Sequence, residues 1–363
     1  MEKISRTAII GVGLMGGSLA GALRKNNICK EIIGWDREKS ALQAARKADI
    51  IDTAAPGLTA AVKQTDLVII AVPTATITRT LEKIYPYLSS SALVMDLGST
   101  KQKILQQAEK IFINYQNQET HKGLDHSNSS TDKQQPGKSM KPAKSVIDSS
   151  DSSEKSSADI PGPYFIGGHP IAGSEKSGVE WSNPDMFAGA PFVLTPLSRT
   201  PESRVKQLTA ILEKLGARVY RFSPADHDRY LAWISHLPQL AASALMQTIA
   251  EQPDSQQALE LAGSGLRDTT RIAASDAGIW QDIVFSNREN IAAILQDYIT
   301  RLEKLQQAVK NSNTKAVHQL MTSAARARVK LDNSESADRD NADRDNNIQE
   351  TDIGHKKNKR HKK

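Results

Sequence analysis

The segment TAIIGVGLMGGSLA, residues 7–20, decides the fold of this chain. A continuous apolar run ends in Gly11, Gly13 and Gly16, and a helical pattern of apolar residues follows. This order of strand, glycine turn and helix is the context in which a GxGxxG motif indicates dinucleotide binding. The glycines permit a tight turn and bring a pyrophosphate close to the helix N-terminus, where backbone N–H groups and the helix dipole stabilise its charge.

An acidic residue supports the same interpretation. Asp36 closes the next predicted strand, EIIGWD, 20 residues after Gly16. A carboxylate at this position accepts hydrogen bonds from ribose hydroxyls and repels the 2′-phosphate of NADP. The neighbouring cation Arg37 softens this preference. The sequence therefore predicts NAD as the cofactor, bound by Asp36 and the three glycines of the turn.

Further apolar runs continue the alternation of strand and helix. Two of them, DLVIIAV and ALVMDL, occupy residues 66–72 and 92–97. Fully buried strands separated by helices predict a parallel doubly wound sheet, in which ligands bind beyond the carboxyl ends of the strands. This places Pro73, Thr74 and Ser99 at the cofactor edge. Ser99 can equally cap the helix predicted over 101–111, a role that does not exclude ligand contact.

Composition divides the rest of the chain. Residues 116–160 hold eleven serines and no Phe, Trp or Tyr, so we expect a disordered insertion that cannot offset the entropy cost of ordering. The pattern from 201 to 331 is nearly all helical, and residues 332–363 are charged. We predict an α/β protein in which a Rossmann-type domain over 1–200 precedes an all-α domain over 201–331 and a disordered tail.

The helical half suggests self-association. Residues 231–250 are apolar nearly all round, and a helix without a polar face is expected to be buried on every side. A second long helix is predicted over 287–309. Together these features predict a dimerisation and substrate domain that interlocks with a second copy of itself, giving a homodimer.

The net charge of +6 belongs to the end of the chain. Residues 355–363, HKKNKRHKK, carry six Lys or Arg and no acid, which accounts for the whole excess. A terminal run of this kind is usually a solvated arm, so no specific nucleic-acid partner is expected. The single cysteine, Cys29, excludes an internal disulfide. With no signal-peptide pattern and no apolar run near the ~18 residues of a membrane span, we expect a cytoplasmic protein without a membrane partner.

The segment FIGGHPIAGSEKSG, residues 165–178, carries the predicted catalytic centre. His169 ends an apolar run, is followed by Pro170 and is flanked by glycines that permit close backbone approach. A titratable histidine in this setting suits a general base over a bound substrate. The alternative is a strand-end histidine that only packs.

The helical half adds three features, each with a structural alternative. His236 lies beside Pro238 in ISHLPQ and is either a pocket residue or a core histidine. Asp268 and Arg271 share a helical face in GSGLRDTTR, so Arg271 either binds a ligand or forms an ordinary ion pair. Trp280 follows the polar segment SDAG and is either a substrate contact or part of the core.

Five motifs, GVGLMGGSLA, DLGST, HPIAGSEKSG, ISHLP and GLRDTTRIAASD, together resemble the prephenate and arogenate dehydrogenases of tyrosine biosynthesis. The resemblance covers the chain from about residue 6 to 310 apart from the serine-rich insertion. It implies NAD-dependent oxidative decarboxylation of prephenate to 4-hydroxyphenylpyruvate. An arogenate or dual-specificity cyclohexadienyl dehydrogenase is the nearest alternative, because Gln239 stands where many relatives have histidine.

The resemblance also implies a role for each site residue. His169 hydrogen-bonds the ring hydroxyl of the substrate, and Arg271 binds a substrate carboxylate. Ser99 helps to orient the ring hydroxyl and the nicotinamide. The remaining implied substrate contacts are Glu175 and Asp268 of the ionic network, His236 and Trp280. No metal site is implied.

Two other classes stay open at this stage. A β-hydroxyacid dehydrogenase also joins a nucleotide domain to a helical half, but the helix-borne lysine motif of that group is missing. A nucleotide-sensing protein without turnover predicts that His169, Ser99 and Arg271 do not converge on one pocket.

Overall fold

The structure is a computed structural model that describes residues 3–125, 162–173 and 176–331. Its centre is an eight-stranded sheet with the strand order β3-β2-β1-β4-β5-β6-β7-β8. The strands are β1 (Ile4–Ile10), β2 (Cys29–Trp35), β3 (Thr53–Ala54), β4 (Leu67–Ile70), β5 (Leu93–Asp96), β6 (Tyr164–Pro170), β7 (Pro191–Pro196) and β8 (Arg218–Arg221). All neighbours pair in parallel except β6 and β7, which are antiparallel.

Helices connect the strands and follow the sheet. They are α1 (Leu14–Lys25), α2 (Lys39–Lys47), α3 (Leu58–Ala61), α4 (Ile77–Ile84), α5 (Gln102–Asp125), α6 (Glu202–Lys214), α7 (Pro224–Leu231), α8 (Leu237–Ala250), α9 (Ser255–Glu260), α10 (Ser264–Thr270), α11 (Ala277–Ser286) and α12 (Arg288–Lys310). Residues 314–331 are also helical. A π-helix over Ala232–His236 joins α7 to α8. Within the described ranges, no helix is long and apolar enough to cross a membrane.

The predicted doubly wound sheet is confirmed, and its core lies on both faces. Successive side chains of a strand point to opposite faces, so Ile9 and Ile10 of β1 enter different hydrophobic clusters. Leu19 of α1 packs in the cluster of Ile9, whereas Leu81 of α4 packs in that of Ile10. The two-residue β3 escaped prediction because it is too short to show a pattern.

The sheet extends further along the chain than the predicted boundary at residue 200. Four residues of α6 are buried in the cluster of Ile9: Val205, Leu208, Ile211 and Leu212. After α6, β8 pairs with β7 in parallel. We therefore propose that the nucleotide-binding domain ends after β8, at Arg221.

Contacts divide the chain into two compact units, Met1–Ala292 and Ala293–Lys363. The first unit holds the sheet and all of α1–α11, together with the start of α12. The described part of the second unit is helical, with a break at residues 311–313.

Helix α5 is longer than predicted. It continues to Asp125, so the first ten residues of the predicted insertion are helical rather than disordered. Residues 112–125 contain several good helix formers and no proline, so the local sequence permits the extension. Residues 126–161 and 332–363 lie outside the described residues, and their disorder stays a prediction.

Within one chain, helix α8 is not buried on every side, so the burial predicted for residues 231–250 depends on the predicted second copy. The buried residues of α8 are Gln239 and Ala242, and Leu245 is 38% exposed. In the preceding π-helix, Trp233 and Ile234 are 46% and 67% exposed. The described part of one chain therefore leaves apolar surface of this region uncovered.

Candidate active site

The glycine turn lies at the carboxyl end of β1. Gly11 has φ +96°, and a Cβ there would stand 2.4 Å from the Ala71 carbonyl oxygen. A Cβ on Gly16 would stand 2.0 Å from the Gly11 carbonyl oxygen, so both positions need glycine. Around Gly13, in contrast, nothing lies within 4 Å of an ideal Cβ, and no described side chain caps α1 there. A tight turn with open space at a helix N-terminus fits a pyrophosphate.

Asp36 lies beside this turn, directly after β2. Its Oδ2 accepts a hydrogen bond from the Val12 backbone N–H at 2.7 Å, and its Oδ1 accepts one from Glu38 N–H at 2.9 Å. Because each carboxylate oxygen has two acceptor sites, ribose hydroxyls can still bind. The geometry fits the adenosine ribose of NAD.

Thr74 and Ser99 meet at the carboxyl ends of the neighbouring strands β4 and β5. The Ser99 backbone N–H donates to Thr74 Oγ1 at 3.3 Å, and Pro73 precedes Thr74 at the start of a 3₁₀ helix. Ser99 does not cap α5, because a more distant residue does so. The backbone N–H groups of Lys101 and Gln102 donate to the Asp228 carboxylate at 2.7 and 2.9 Å.

A pocket of about 520 Å³ brings most of the predicted substrate residues together. Its lining comprises Ser99, His169, Ala172, Gly173, Ser235, His236, Gln239, Arg271, Ile272, Ser275, Ile279, Trp280 and Ile283. His169 and Ser99 come from the sheet, whereas Arg271 comes from the helical region. A larger cavity of about 700 Å³ beside α5 contains none of the predicted site residues.

Two predicted residues are not brought to this pocket. Asp268 is exposed in α10 and is absent from the lining given by the described residues. Glu175 lies outside the described residues, so its role stays a prediction.

One residue that the sequence did not single out, His227, contacts the predicted base, and a second, Asp228, contacts His227. His169 Nδ1 lies 2.8 Å from His227 Nε2, and His227 Nδ1 lies 2.7 Å from Asp228 Oδ1. His227 and Asp228 are buried in α7, while His169 is partly buried. A sequence signal existed, since His227 and Asp228 lie in the helix that follows the last strand, but nothing local indicated that His227 turns toward His169.

His236 is both a core residue and a pocket residue. It is 1% exposed, its Nδ1 lies 3.2 Å from Asn287 Nδ2, and the Trp280 ring packs against it edge-on with centroids 6.0 Å apart. Asn287 Nδ2 also donates to the Asp228 backbone oxygen at 2.7 Å. One buried asparagine therefore links the His236 wall of the pocket to α7.

Beneath the pocket lies a fully buried ion pair between Lys101 and Asp96. Burial lowers the pKa of Lys101 and raises the pKa of Asp96, and the pairing opposes both shifts. The cation of this pair also disfavours protonation of His169 and His227.

The three histidines of the site have lowered pKa values. Burial, followed by His227 and Lys101, lowers the pKa of His169 well below its ordinary value. Burial also lowers the pKa of His227, against the opposing effect of Asp228. Burial lowers the pKa of His236 to about 4. His169 is therefore a neutral imidazole at neutral pH, as a general base requires.

A glycine turn suited to a dinucleotide and a histidine-lined pocket occupy the same edge of the sheet. Together they define the class of this protein, an NAD-dependent dehydrogenase. Comparison with known proteins then specifies the family. A model of the prephenate dehydrogenase nucleotide-binding domain matches residues 19–121 and 146–221, and a model of the prephenate dehydrogenase dimerization domain matches residues 223–323. The chain belongs to the prephenate dehydrogenase family.

Individual relatives agree with this assignment. The chain is 30% identical over 317 residues to the prephenate dehydrogenase of Bacillus subtilis, an alignment that covers 86% of this chain and 72% of that protein. It is similar to the crystal structure of A. aeolicus prephenate dehydrogenase in complex with hydroxyphenyl propionate and NAD+, with 27% identity, a TM-score of 0.72 and coverage of 91% and 99%. It is also similar to Synechocystis arogenate dehydrogenase, with 29% identity, a TM-score of 0.67 and coverage of 90% and 99%.

Proposed function

We propose that this protein is a prephenate dehydrogenase, which uses NAD to convert prephenate to 4-hydroxyphenylpyruvate and CO2 in tyrosine biosynthesis. The observation that carries the proposal is that His169, Ser99 and Arg271 line one pocket at the edge of the sheet that bears the glycine turn. This arrangement supplies a base and a cation to one small substrate. It disfavours the alternative that the protein senses a nucleotide and catalyses no reaction.

His169 has the central role in the chemistry. Its neutral ring accepts the proton of the ring hydroxyl as the hydroxyl carbon becomes a carbonyl, a contribution of roughly 10²–10⁴ in rate. Bound NAD accepts the hydride from that carbon. Ser99 lies at the carboxyl end of β5 beside Thr74, where it helps to orient the ring hydroxyl and the nicotinamide. Loss of CO2 then makes the ring aromatic.

Arg271 and the pocket wall bind the dianionic substrate. The guanidinium of Arg271 offers a planar, two-pronged donor to a carboxylate. Ile272, Ile279 and Ile283 form apolar wall, and Trp280 packs beside the neutral His236. Apolar wall limits the access of water and strengthens the ion pair of the substrate with Arg271.

Arogenate is the second candidate substrate, and one residue favours it. Gln239 is 5% exposed, lines the pocket and donates from Nε2 to the Ile272 carbonyl oxygen at 2.9 Å. This bond leaves the amide oxygen as the group that can accept from a ligand. A carbonyl oxygen suits the ammonium group of arogenate better than the keto oxygen of prephenate. A dual-specificity enzyme is thus the nearest alternative.

We further propose that two copies associate through the helical region, giving a homodimer. Several large apolar side chains of the first unit are exposed there: Trp233, Ile234, Leu245, Leu261, Ile279 and Phe285. An apolar surface of this kind commonly marks an interface. The match of residues 223–323 to a dimerization domain supports it. The cytoplasmic location stays a prediction that rests on the single cysteine.

The experiment that tests the function is the formation of NADH by the purified protein with prephenate and, separately, with arogenate. We expect turnover of prephenate with NAD and little with NADP, together with release of CO2. A higher kcat/KM for arogenate would make the second candidate correct. If neither substrate yields NADH, the proposed function is wrong.

A further inference from the structure

A continuous chain of hydrogen bonds runs from the pocket into the protein. His169 Nδ1 contacts His227 Nε2 at 2.8 Å, and His227 Nδ1 contacts Asp228 Oδ1 at 2.7 Å. The Asp228 carboxylate also accepts the backbone N–H groups of Lys101, which precedes α5, and of Gln102, its first residue. Three side chains, two of them fully buried, therefore link the pocket to the N-terminus of α5, and His169, the proposed general base, is the one that lines the pocket.

The anchor of this chain determines where each proton lies. Both oxygens of Asp228 accept backbone N–H groups at the N-terminus of α5, so Asp228 acts as an acceptor toward His227 as well. His227 Nδ1 must then carry the proton that Asp228 accepts, which leaves His227 Nε2 as an acceptor. His169 Nδ1 must in turn donate to His227, so His169 Nε2 has no proton. This nitrogen is the one left to accept the hydroxyl proton of a substrate.

The charged groups around the chain favour the same arrangement. The Lys101 ammonium, paired with Asp96 beneath the strands, disfavours a permanent positive charge on either histidine. His236, held by Asn287, is the remaining titratable neighbour. Asp228, followed by Asp96, favours a positive charge on His227.

We propose that His227 and Asp228 are positioning residues for His169: they fix its tautomer with Nε2 unprotonated and receive, on His227, the charge that develops when His169 accepts a proton. This inference rests on the proposed function, because it assigns the proton of the substrate hydroxyl to His169. It adds two residues to the reaction, neither of which lines the pocket among the described residues.

The proton of the substrate hydroxyl moves to His169 and later returns to the same oxygen in the product. As the ring carbon loses hydride to NAD, the hydroxyl O–H bond breaks and its proton binds His169 Nε2. The Nδ1 proton of His169 moves to His227 Nε2, so the positive charge lies beside Asp228. Loss of CO2 leaves its bonding electrons in the ring. The resulting phenolate oxygen takes the proton back from His169 Nε2 as the Nδ1 proton returns from His227 Nε2 to His169. The substrate dianion and NAD+ thus give the product monoanion, CO2 and NADH, without net proton release.

The discriminating variant is Asp228→Asn. Asp228 Oδ1 accepts from both Lys101 N–H and His227 Nδ1, whereas Oδ2 accepts from Gln102 N–H. An asparagine with its oxygen at the first position keeps both of these bonds and the tautomer of His227, but it has no negative charge to stabilise the proton that His227 receives. We expect kcat to fall by roughly 10²-fold or more while KM changes by less than about threefold. A second variant, His227→Gln, keeps an acceptor for His169 Nδ1 but cannot take a proton, so kcat should fall by roughly tenfold.

Thr200→Val is the matched control. Thr200 Oγ1 donates to the Phe165 carbonyl oxygen at 3.0 Å, so this change removes a buried hydrogen bond on the strand of His169 without touching the histidine chain. It should lower the melting temperature and leave both kcat and the pH profile unchanged. Asp228→Asn should instead lower kcat at every pH at which the variant is folded.

Tautomers give a readout that does not depend on turnover. Nitrogen NMR of ¹⁵N-histidine-labelled protein, assigned with the His169→Asn and His227→Gln variants, should show His227 Nδ1 protonated and His169 Nε2 unprotonated in the wild type. The opposite tautomers in the wild type, or a kcat for Asp228→Asn within about threefold of wild type, overturn the proposal. If the wild type oxidises neither prephenate nor arogenate, the proposed function is wrong, and the tautomers still decide whether Asp228 positions His169.

Discussion

The sheet that ends at Arg221 and the helices that follow it both line the same pocket. The two regions differ in how much of their apolar surface is buried within one chain. The strands β4 and β5 are fully buried, and helices cover both faces of the sheet. In the helical region, Ile234 and Phe285 remain 67% and 64% exposed. One chain therefore completes the region that supplies the base, while the region that supplies Arg271 has apolar surface left for a partner.

This difference suggests that the sheet serves the chemical step and the helical region serves substrate binding. Chemistry requires atoms to be held within a fraction of an ångström, which suits a sheet edge whose core is closed. Binding tolerates more adjustment, which suits helices that are completed by association. Each prediction below tests one side of this division.

The largest effect is expected on the sheet side, at His169. His169→Asn keeps a hydrogen-bonding side chain but cannot accept a full proton, so kcat should fall by roughly 10²-fold or more while NAD affinity stays close to wild type. The wild-type kcat/KM should decline toward acid pH with an apparent pKa below the ordinary value of about 6.5, because burial lowers the pKa of His169. The variant should lose this acid limb.

The measurements are the pH profile, the NAD affinity and the melting temperature of the same variant. A near-normal kcat with the acid limb intact would mean that His169 only packs at the end of β6.

Acid pH should destabilise the fold through the histidines that link the two regions. A histidine whose pKa is lowered on folding binds its proton more readily in the unfolded chain. Its full contribution to the free energy of unfolding is therefore present above about pH 6.5 and is lost as the pH drops toward the pKa of the folded state. For His236, with a pKa of about 4, the loss between pH 6.5 and pH 4 is roughly 3 kcal/mol.

Denaturant unfolding of wild type and His236→Gln at a series of pH values isolates this contribution, because the carboxylates common to both proteins cancel. The difference in unfolding free energy between the two should shrink as the pH falls. His318→Gln, at an exposed position of the helix over 314–331, is the control and should show a constant difference.

On the helical side, Arg271→Gln should weaken binding rather than chemistry. Loss of the guanidinium leaves a substrate carboxylate without its partner, at a cost of about 2 kcal/mol or roughly 30-fold in KM, with kcat nearly unchanged. Arg267→Gln removes a charge from the same region, in α10, at a residue absent from the described pocket lining. If KM is the same in both variants, Arg271 has a structural role only.

A smaller effect is expected for cofactor choice. Asp36→Ser removes the carboxylate beside the glycine turn, so NAD should bind roughly tenfold more weakly and NADP should bind better than to wild type. Titration of one variant with both cofactors provides its own control. An equal response to the two cofactors would show that Asp36 does not face the ribose.

No effect is expected from the serine-rich insertion. Its composition cannot form a core, so replacing residues 126–160 by a short Gly/Ser linker after the end of α5 should leave melting temperature and kcat within error of wild type. A large fall in kcat would mean that this segment contributes to the site.

The sequence predicted the sheet well because strand, turn and helix each have a local pattern. The glycine turn, Asp36 and the position of His169 at the end of β6 needed only spacing. His227 and Asp228 could not be predicted, because their function depends on a contact with a residue 58 positions away. The burial of 231–250 stays a prediction for a related reason: apolar composition shows that a surface must be covered, but not which chain covers it.

The π-helix over Ala232–His236 has a consequence for how this chain tolerates length changes. A π-turn contains one residue more than an α-turn, so it behaves as a single-residue insertion held within a helix. Removing exposed Ile234 would let the segment relax to an α-helix while the elements on either side keep their relative orientation, because the π-turn already holds the extra residue. The same deletion in the regular helix α8 would rotate everything that follows it by about 100°. In a library of one-codon deletions, the loss of Ile234 should therefore be tolerated better than the loss of any residue within α8.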